Sequence, residues 1–363
     1  MVDWPQKASE DERTWTLSAS PPLSLLRPAG RSRQALIVGC GHIGRHLPSL
    51  LGETGQIRLI RMLDRGRVTA AHVLSEGYPP ESVGSFKAEV LRQRWAAQFP
   101  QVTFEAICAD LEDVPLGDFE VDVVLAALDS RRARQALVSE RAYPLGVPVI
   151  DGGVGDGLLG SVRVFRPGSA CLECGFGPQD YRSLATEYAC HPDGVYLAPP
   201  TTAPAFVAAV VAGIMTAEMV GVLSGNQTGE SSEILFDLAT RRFLTSRRKR
   251  AHRCRFDHQI VTNYVCPDVP FASATVDDVL RVVRQRFGSS ACQLEFRRGV
   301  LRSDQAFPTD RLVTPGWLDR QQAQRLAELG LTPRDRIRVH LRGQPPSAFV
   351  ILGQPNLSSR TEP

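Results

Sequence analysis

Four short stretches carry residue types and spacings that can do chemistry. In GCGHIG, Gly39, Gly41 and Gly44 follow an apolar run, and Asp64 stands 20 residues after the last of them. Glycines permit a tight turn and close approach of backbone to phosphate, and an acid at that distance accepts hydrogen bonds from ribose hydroxyls. Lys87, in VGSFKAE, sits at a predicted helix start, in reach of nucleotide phosphates. Asp129 closes the apolar run VDVVLAALD; open α/β sheets bind ligands at such strand ends, and a carboxylate beside a triphosphate suits Mg2+. Cys171 and Cys174 form a Cys-x-x-Cys pair in CLECGF, and HRCRFDH follows with Cys254, 80 residues after Cys174. A pair of this kind is half of a zinc site, a redox pair or an accident of composition. CLEC follows a predicted strand into a loop and lacks a thioredoxin context, which weighs against the redox reading.

The elements around these residues read as alternating α/β units. A strand over 35–38 runs into the glycines, an amphipathic helix follows, and a second strand ends at Asp64. KAEVLRQRWAAQF predicts a helix, VTFEAIC and VDVVLAALD strands, SRRARQALVSERAYPLG a helix and VPVIDGG another strand. Strands alternating with helices imply a mainly parallel sheet. GSVRVFRP predicts the strand that leads to CLEC, and SEILFDLATRRFLTSRR a closing hairpin. Beyond residue 260 the texture changes: VTNYVCPDVPF reads as a linker, ATVDDVLRVVRQRF and LDRQQAQRLAELG as helices, and CQLEF, GVLRSD, DRIRVHLRG and SAFVILG as strands. The expected organisation is an N-terminal arm over 1–33, a nucleotide domain over 34–259 and a small α+β accessory domain over 260–363.

Composition narrows the function classes. With 363 residues, 43% hydrophobic and 22% charged, the chain has material for one large core and a smaller one. The N-terminal stretch is acidic and polar and lacks the basic start and apolar run of a signal peptide, so a reducing cytoplasm is the expected compartment and paired cysteines there point to metal or catalysis. A net charge of +3 does not mark a nucleic-acid binder. One run, from Arg241 to Arg255, holds eight Arg or Lys and no acid; it reads as a solvated loop or a docking surface for an acidic partner or a phosphate. The stretch from Ala203 to Gly225 is nearly long enough to span a bilayer, but it is rich in Ala and Gly and contains Glu218. A buried helix is the better reading, and no membrane association is expected.

Taken in order, the stretches resemble the ThiF/MoeB-type adenylyltransferases, the superfamily that includes ubiquitin-activating enzymes, over residues 30 to 258. GCGHIG looks like the family's nucleotide turn, Leu63 and Asp64 like its ribose-binding acid, VGSFKAE like its Gly-x-x-Lys segment and DSRRAR like its Asp-Asn-x-x-x-Arg. DGGVGDGLLGSVRVFRPGSACLEC is similar to the lead-in to a first zinc half-site. The resemblance implies an α/β fold, a Rossmann-like mainly parallel sheet with a zinc-bound C-terminal part, plus the small α+β domain. It implies ATP, Mg2+ and Zn2+ as cofactors and a homodimeric enzyme. The substrate would be a ubiquitin-like or sulfur-carrier protein whose C-terminal carboxylate is adenylated, and a conjugating enzyme would be a further partner. In that frame Asp64 holds ribose, Gly39, Gly41, Gly44 and Lys87 hold the phosphates, and Asp129 holds magnesium. Cys171, Cys174, Cys254 and His258 complete a zinc tetrahedron, with His252 and Cys266 as further candidates for the fourth ligand because Asp257 stands where the family has its second cysteine. Cys190, in the segment CHPDGVYLAPP, stands where relatives can carry a thioester cysteine, and a structural role for it is equally open.

The departures also matter. Counting along LDRGRVTAAHVLSEGY puts His72 and Ser75 at the family's Asn and phosphate-binding Arg, and Ser130 at the Asn after Asp129. Arg65, Arg67, Arg31 and Arg33 are the candidate replacement cations. Two alternatives follow: a ThiF-like scaffold that lost adenylation, and an NAD-dependent oxidoreductase. The second leaves Lys87, Asp129 and the cysteine half-sites without a role. Cys40 is expected to pack under the glycine turn, His42 to be local packing, and Cys108 and Cys292 to be buried strand thiols.

Overall fold

The computed structural model describes residues 32–186, 204–225, 229–256, 258–266, 268–287, 292–295, 312–313, 325–341 and 348–353. The chain begins with β1 (Arg33–Val38), α1 (Leu47–Glu53), β2 (Ile57–Leu63), α2 (Ala70–Glu76), α3 (Lys87–Gln98) and β3 (Thr103–Ile107). Next come β4 (Val123–Ala126), α4 (Arg131–Gln135), β5 (Val149–Val154), β6 (Leu159–Phe165), α5 (Pro178–Thr186), α6 (Ala205–Ser224), β7 (Ser231–Asp237) and β8 (Arg242–Arg248). These eight strands form one sheet in the order β3-β2-β1-β4-β5-β6-β7-β8. The first five are parallel and the last three are added antiparallel. The sheet is therefore mixed, with its parallel half on the nucleotide side.

β1 reads as a continuous apolar run because both its faces are covered. Ala35 and Ile37 join the core under α1, α3 and α6, beside Leu47, Leu91, Val211 and Met215. Leu36 and Val38 face the opposite core, with Phe119, Leu137 and Val138. β2 and β4 flank β1, and the chain leaves it first to one side and later to the other. This is the switch point at which ligands enter open α/β sheets, and the loops carrying Gly39, Asp64 and Asp129 all leave from here.

α6 lays Val207, Val211, Met215 and Met219 against the sheet. Among the described residues it is the one helix long and apolar enough to cross a membrane, and 39% of its most apolar window is buried. The helix predicted after Asp129 is divided: α4 passes into one wide turn over Ala136–Ala142 and a tight one over Tyr143–Leu145.

A second sheet, in the order β11-β10-β12-β13-β9, is built from β9 (Thr262–Cys266), β10 (Cys292–Glu295), β11 (Leu312–Val313), β12 (Ile337–Leu341) and β13 (Ala348–Leu352). It packs on α7 (Val276–Phe287), whose Val276, Val279, Leu280 and Val283 recur at helical spacing and fill a third core with Ile337, Val339 and Val350. Two sequence expectations change here. The segment read as a linker is β9, which pairs parallel with β13. The described end of the helix expected over LDRQQAQRLAELG, residues 325–330, is a bridge to Thr275 followed by turns. The N-terminal arm up to residue 31 and the strand expected over GVLRSD lie outside the described residues.

The two sheets are joined by charge. Arg336, its side chain 2% exposed, donates from Nε to Glu120 Oε1 at 2.9 Å and from its terminal nitrogen to Oε2 at 2.6 Å. Arg334 pairs with Asp118, and its carbonyl accepts from Gly117 N at 2.8 Å. A Cβ on Gly117 would lie 2.4 Å from that carbonyl oxygen, so the close approach needs glycine. Replacing Arg336 by Ala leaves the Glu120 carboxylate without its bidentate partner and is expected to cost about 3 kcal/mol. Chemical unfolding together with limited proteolysis between residues 260 and 275 measures this; unchanged stability and cleavage would discount the clasp.

Candidate functional site

The glycine turn closes on β1 for steric reasons. Gly39 adopts φ +91°, and a Cβ there would lie 2.4 Å from the Ala127 carbonyl oxygen. A Cβ on Gly44 would lie 1.8 Å from the Gly39 carbonyl oxygen. Asp64 Oδ2 accepts from Cys40 N at 2.6 Å and Oδ1 from Gly66 N at 2.6 Å, so one carboxylate ties the turn after β1 to the turn after β2. Each carboxylate oxygen keeps a further acceptor site. The Tyr78 hydroxyl donates to Cys40 O at 2.6 Å. Burial, then the Cys40 and Glu76 side chains, pushes that phenol's pKa up. The Cys40 thiol is fully buried and also pushed up, first by burial and then by Asp64, so it stays protonated and packs under the turn.

Lys87 opens α3, its backbone N bonded to Gly66 O at 2.9 Å. Its ammonium pairs with Glu76 Oε2 at 3.0 Å, the two side chains being only 9% and 11% exposed. The other oxygen of Glu76 lies 3.8 Å from where a Cβ on Gly41 would stand. An acid thus sits between the lysine and the middle of the glycine turn. Asp129 lies three residues past β4 and is exposed. Ser130 Oγ accepts from Ala133 N at 3.2 Å and caps α4, which accounts for serine at that position.

The candidate replacement cations are committed elsewhere. Arg65 pairs with Asp110 at 2.8 Å, and Arg67 donates to Gly84 O at 2.7 Å while lying over the Phe86 ring. Arg33 is at the far end of β1, against Gln56, and Arg31 lies outside the described residues. Ser75 Oγ turns back to Ala71 O, and His72 closes a capping box with Thr69. Sequence reasoning missed Glu76, and also Arg45, whose guanidinium donates to the Glu76 carbonyl behind the turn. The only local signal is that Glu76 directly follows Ser75.

Cys171 caps the tight turn Leu172–Gly175 after β6 and Cys174 lies within it, and Cys254 and His258 follow the β7–β8 hairpin. Their ligand atoms all lie within 4.8 Å of one another. Cys171 Sγ is 3.9 Å from Cys174 Sγ and 3.7 Å from Cys254 Sγ, and Cys174 Sγ is 3.1 Å from His258 Nε2. A zinc tetrahedron with Zn–S bonds of 2.3 Å needs sulfurs about 3.8 Å apart, so the donor set fits; a disulfide would need about 2.05 Å. Burial, and then the neighbouring thiols, pushes Cys171 upward, a cost that a bound cation would offset. Glu173, between the two cysteines, accepts from Gln135 at 2.9 Å and Tyr181 at 3.0 Å and pins the turn. Cys266 lies instead in the third core and His252 is exposed. Cys108, expected buried, is exposed just past β3. Cys190 and Asp257 lie outside the described residues.

The family model described as "ThiF family" matches residues 27–256, and the chain belongs to that family. An adenylyltransferase-type enzymatic role goes with the membership. Among similar solved structures is Escherichia coli MccB with succinimide, at 18% identity and TM-score 0.50, covering 62% of this chain and 66% of that one. Another is E. coli MccB with MccA-N7isoASN, at 18% identity and TM-score 0.50, covering 62% and 67%. The chain thus spans about two thirds of those proteins, and at this identity the likeness is one of fold. No curated protein matches the chain.

The cluster generates a direct test. Purified protein is expected to carry one metal ion per chain by elemental analysis. Cys254→Ala should lose it and lower the melting midpoint by roughly 5–10 °C. A metal-free wild-type protein that is as stable after chelation would remove the centre.

Proposed function

We propose that the protein uses Mg·ATP to adenylate the C-terminal carboxylate of a small protein or peptide of the ubiquitin-like or sulfur-carrier kind. The observation that supports this reading is the hydrogen-bonded unit of glycine turn, Asp64 and the Lys87 helix at the switch point of a ThiF-family chain, with Asp129 just beyond the end of the neighbouring strand β4. The fold shared with E. coli MccB, a protein solved together with MccA-N7isoASN, supports a partner of this kind.

In the proposed reaction a carboxylate oxygen of the substrate attacks the α-phosphorus in line, the bond to the β-phosphate oxygen breaks, and pyrophosphate leaves. No protein nucleophile is required, so the chain contributes positioning and charge neutralisation. Gly39, Gly41 and Gly44 present backbone to the phosphates, the spare acceptor sites of Asp64 receive ribose hydroxyls, and Lys87 neutralises phosphate charge. Asp129 would hold magnesium, which supplies further neutralisation of the leaving pyrophosphate. Zinc at Cys171, Cys174, Cys254 and His258 would be structural, since all four positions are filled by protein. A thioester on Cys190, a homodimeric assembly, a conjugating-enzyme partner and a domain division near residue 260 belong to the same proposal.

A second reading, a scaffold without adenylation, is favoured by Ser75 at the family's arginine position and by the acid that already holds Lys87. Pyrophosphate exchange into ATP, with and without a candidate carrier peptide, separates the two. The proposed reaction predicts exchange that falls about 100-fold in Asp129→Ala while the protein stays folded. Full exchange in that variant would remove the magnesium role. Binding of NAD but not ATP would overturn the reading in favour of an oxidoreductase.

A further inference from the structure

Glu76 has no role in the reaction just described, yet its carboxylate stands at the phosphate end of the crevice. Its carboxylate touches Lys87 at 3.0 Å on one side and faces Gly41 on the other, with nine tenths of each side chain of the pair out of water. That is where a polyphosphate would lie if Lys87 and the glycine turn are to hold it. Two anions cannot share one lysine in a space this dry without strong repulsion.

The helix that carries Glu76 is lightly anchored. None of the seven residues of α2 is fully buried: Val73 packs against the edge of the core and Leu74 is 89% exposed. It stops at Gly77 with φ +67°, a left-handed setting that glycine takes without strain. Arg45 donates to the Glu76 carbonyl and so holds the main chain at this end; displacement of the carboxylate then needs only rotation of the Glu76 side chain. The opposite wall of the crevice is rigid by comparison: Lys87 starts a twelve-residue helix whose first residues, Lys87 and Ala88, are buried.

We propose that Glu76 is a displaceable stand-in for the nucleotide's polyphosphate: it neutralises Lys87 in the empty site and must leave the crevice when a polyphosphate binds. The inference rests on the adenylation reading. It makes Glu76 a gate that weakens nucleotide affinity and selects for ligands carrying the β- and γ-phosphates. AMP offers too little charge to take Lys87 from a buried carboxylate.

The test is calorimetric titration of Mg·ATP and of AMP into the full chain, comparing wild type, Glu76→Gln, Lys87→Met and the double variant. Glu76→Gln is expected to tighten Mg·ATP binding roughly tenfold and AMP binding less than twofold. The gain should vanish in the Lys87→Met background, because the coupling runs through that one ammonium. Circular dichroism checks that the variants fold, and Glu76→Asp, which shortens the reach to Lys87 by one methylene, provides a conservative variant with an intermediate gain. Unchanged or weaker ATP binding in a folded Glu76→Gln protein overturns the gate and leaves adenylation standing, as does a gain that survives Lys87→Met. Failure of wild type and all variants to bind ATP overturns both.

Discussion

Much of the site hangs on one carboxylate. Asp64 receives the backbone N–H groups of Cys40 and Gly66, and the Gly66 carbonyl in turn receives the first N–H of α3. Glycine turn, second turn and Lys87 helix are therefore one hydrogen-bonded unit, fixed before any ligand arrives. A charged acceptor with two short backbone bonds is among the stronger tethers available to a loop. The geometry of the crevice thus depends on an acid whose spacing alone suggested contact with a nucleotide.

The second constraint is at the other end of the main sheet. β6 runs antiparallel to β5 and delivers two thiols, and the β7–β8 hairpin returns a third thiol and an imidazole to meet them. The backbone of His258 adopts φ +60°, uncommon for a residue with a side chain, and its ring stands edge-on to Tyr143. The hairpin is otherwise held by strand pairing, by the stack of Phe243 on Phe236 and by the Arg248–Glu233 pair at 3.0 Å, while most of β8 is an exposed edge carrying Arg242 and Arg247. A metal held by these four candidate ligands would supply there what a small apolar interface supplies elsewhere. The basic edge also resists pairing with a second copy of itself, which is how natural sheets protect such strands.

Charge is distributed with the same economy at the junction of the two sheets. Arg336 and Glu120 are almost fully enclosed and satisfy each other bidentately. A buried pair adds little net stability but strongly penalises any arrangement that separates its members. The clasp therefore specifies where the second sheet docks more than how tightly it does so.

Local pattern was enough for the parts of this protein that depend on near neighbours in the chain. The glycine spacing, the two-faced apolar run of β1, the hairpin after α6 and the helical spacing of α7 were all legible, because turn sterics and side-chain periodicity are written within a few residues. The family's order of motifs was legible for the same reason. What the tertiary structure decided was pairing across distance. It chose His258 over His252 and Cys266 as the fourth member of the cluster, and it made a strand of the expected linker by setting Thr262–Cys266 against β13. It also set Glu76 against Lys87, occupied Arg65 and Arg67 elsewhere, and left Cys108 exposed. A sequence carries charges and thiols without their separations, and both Coulomb attraction and metal ligation are set by separations of a few ångströms that only the folded chain creates.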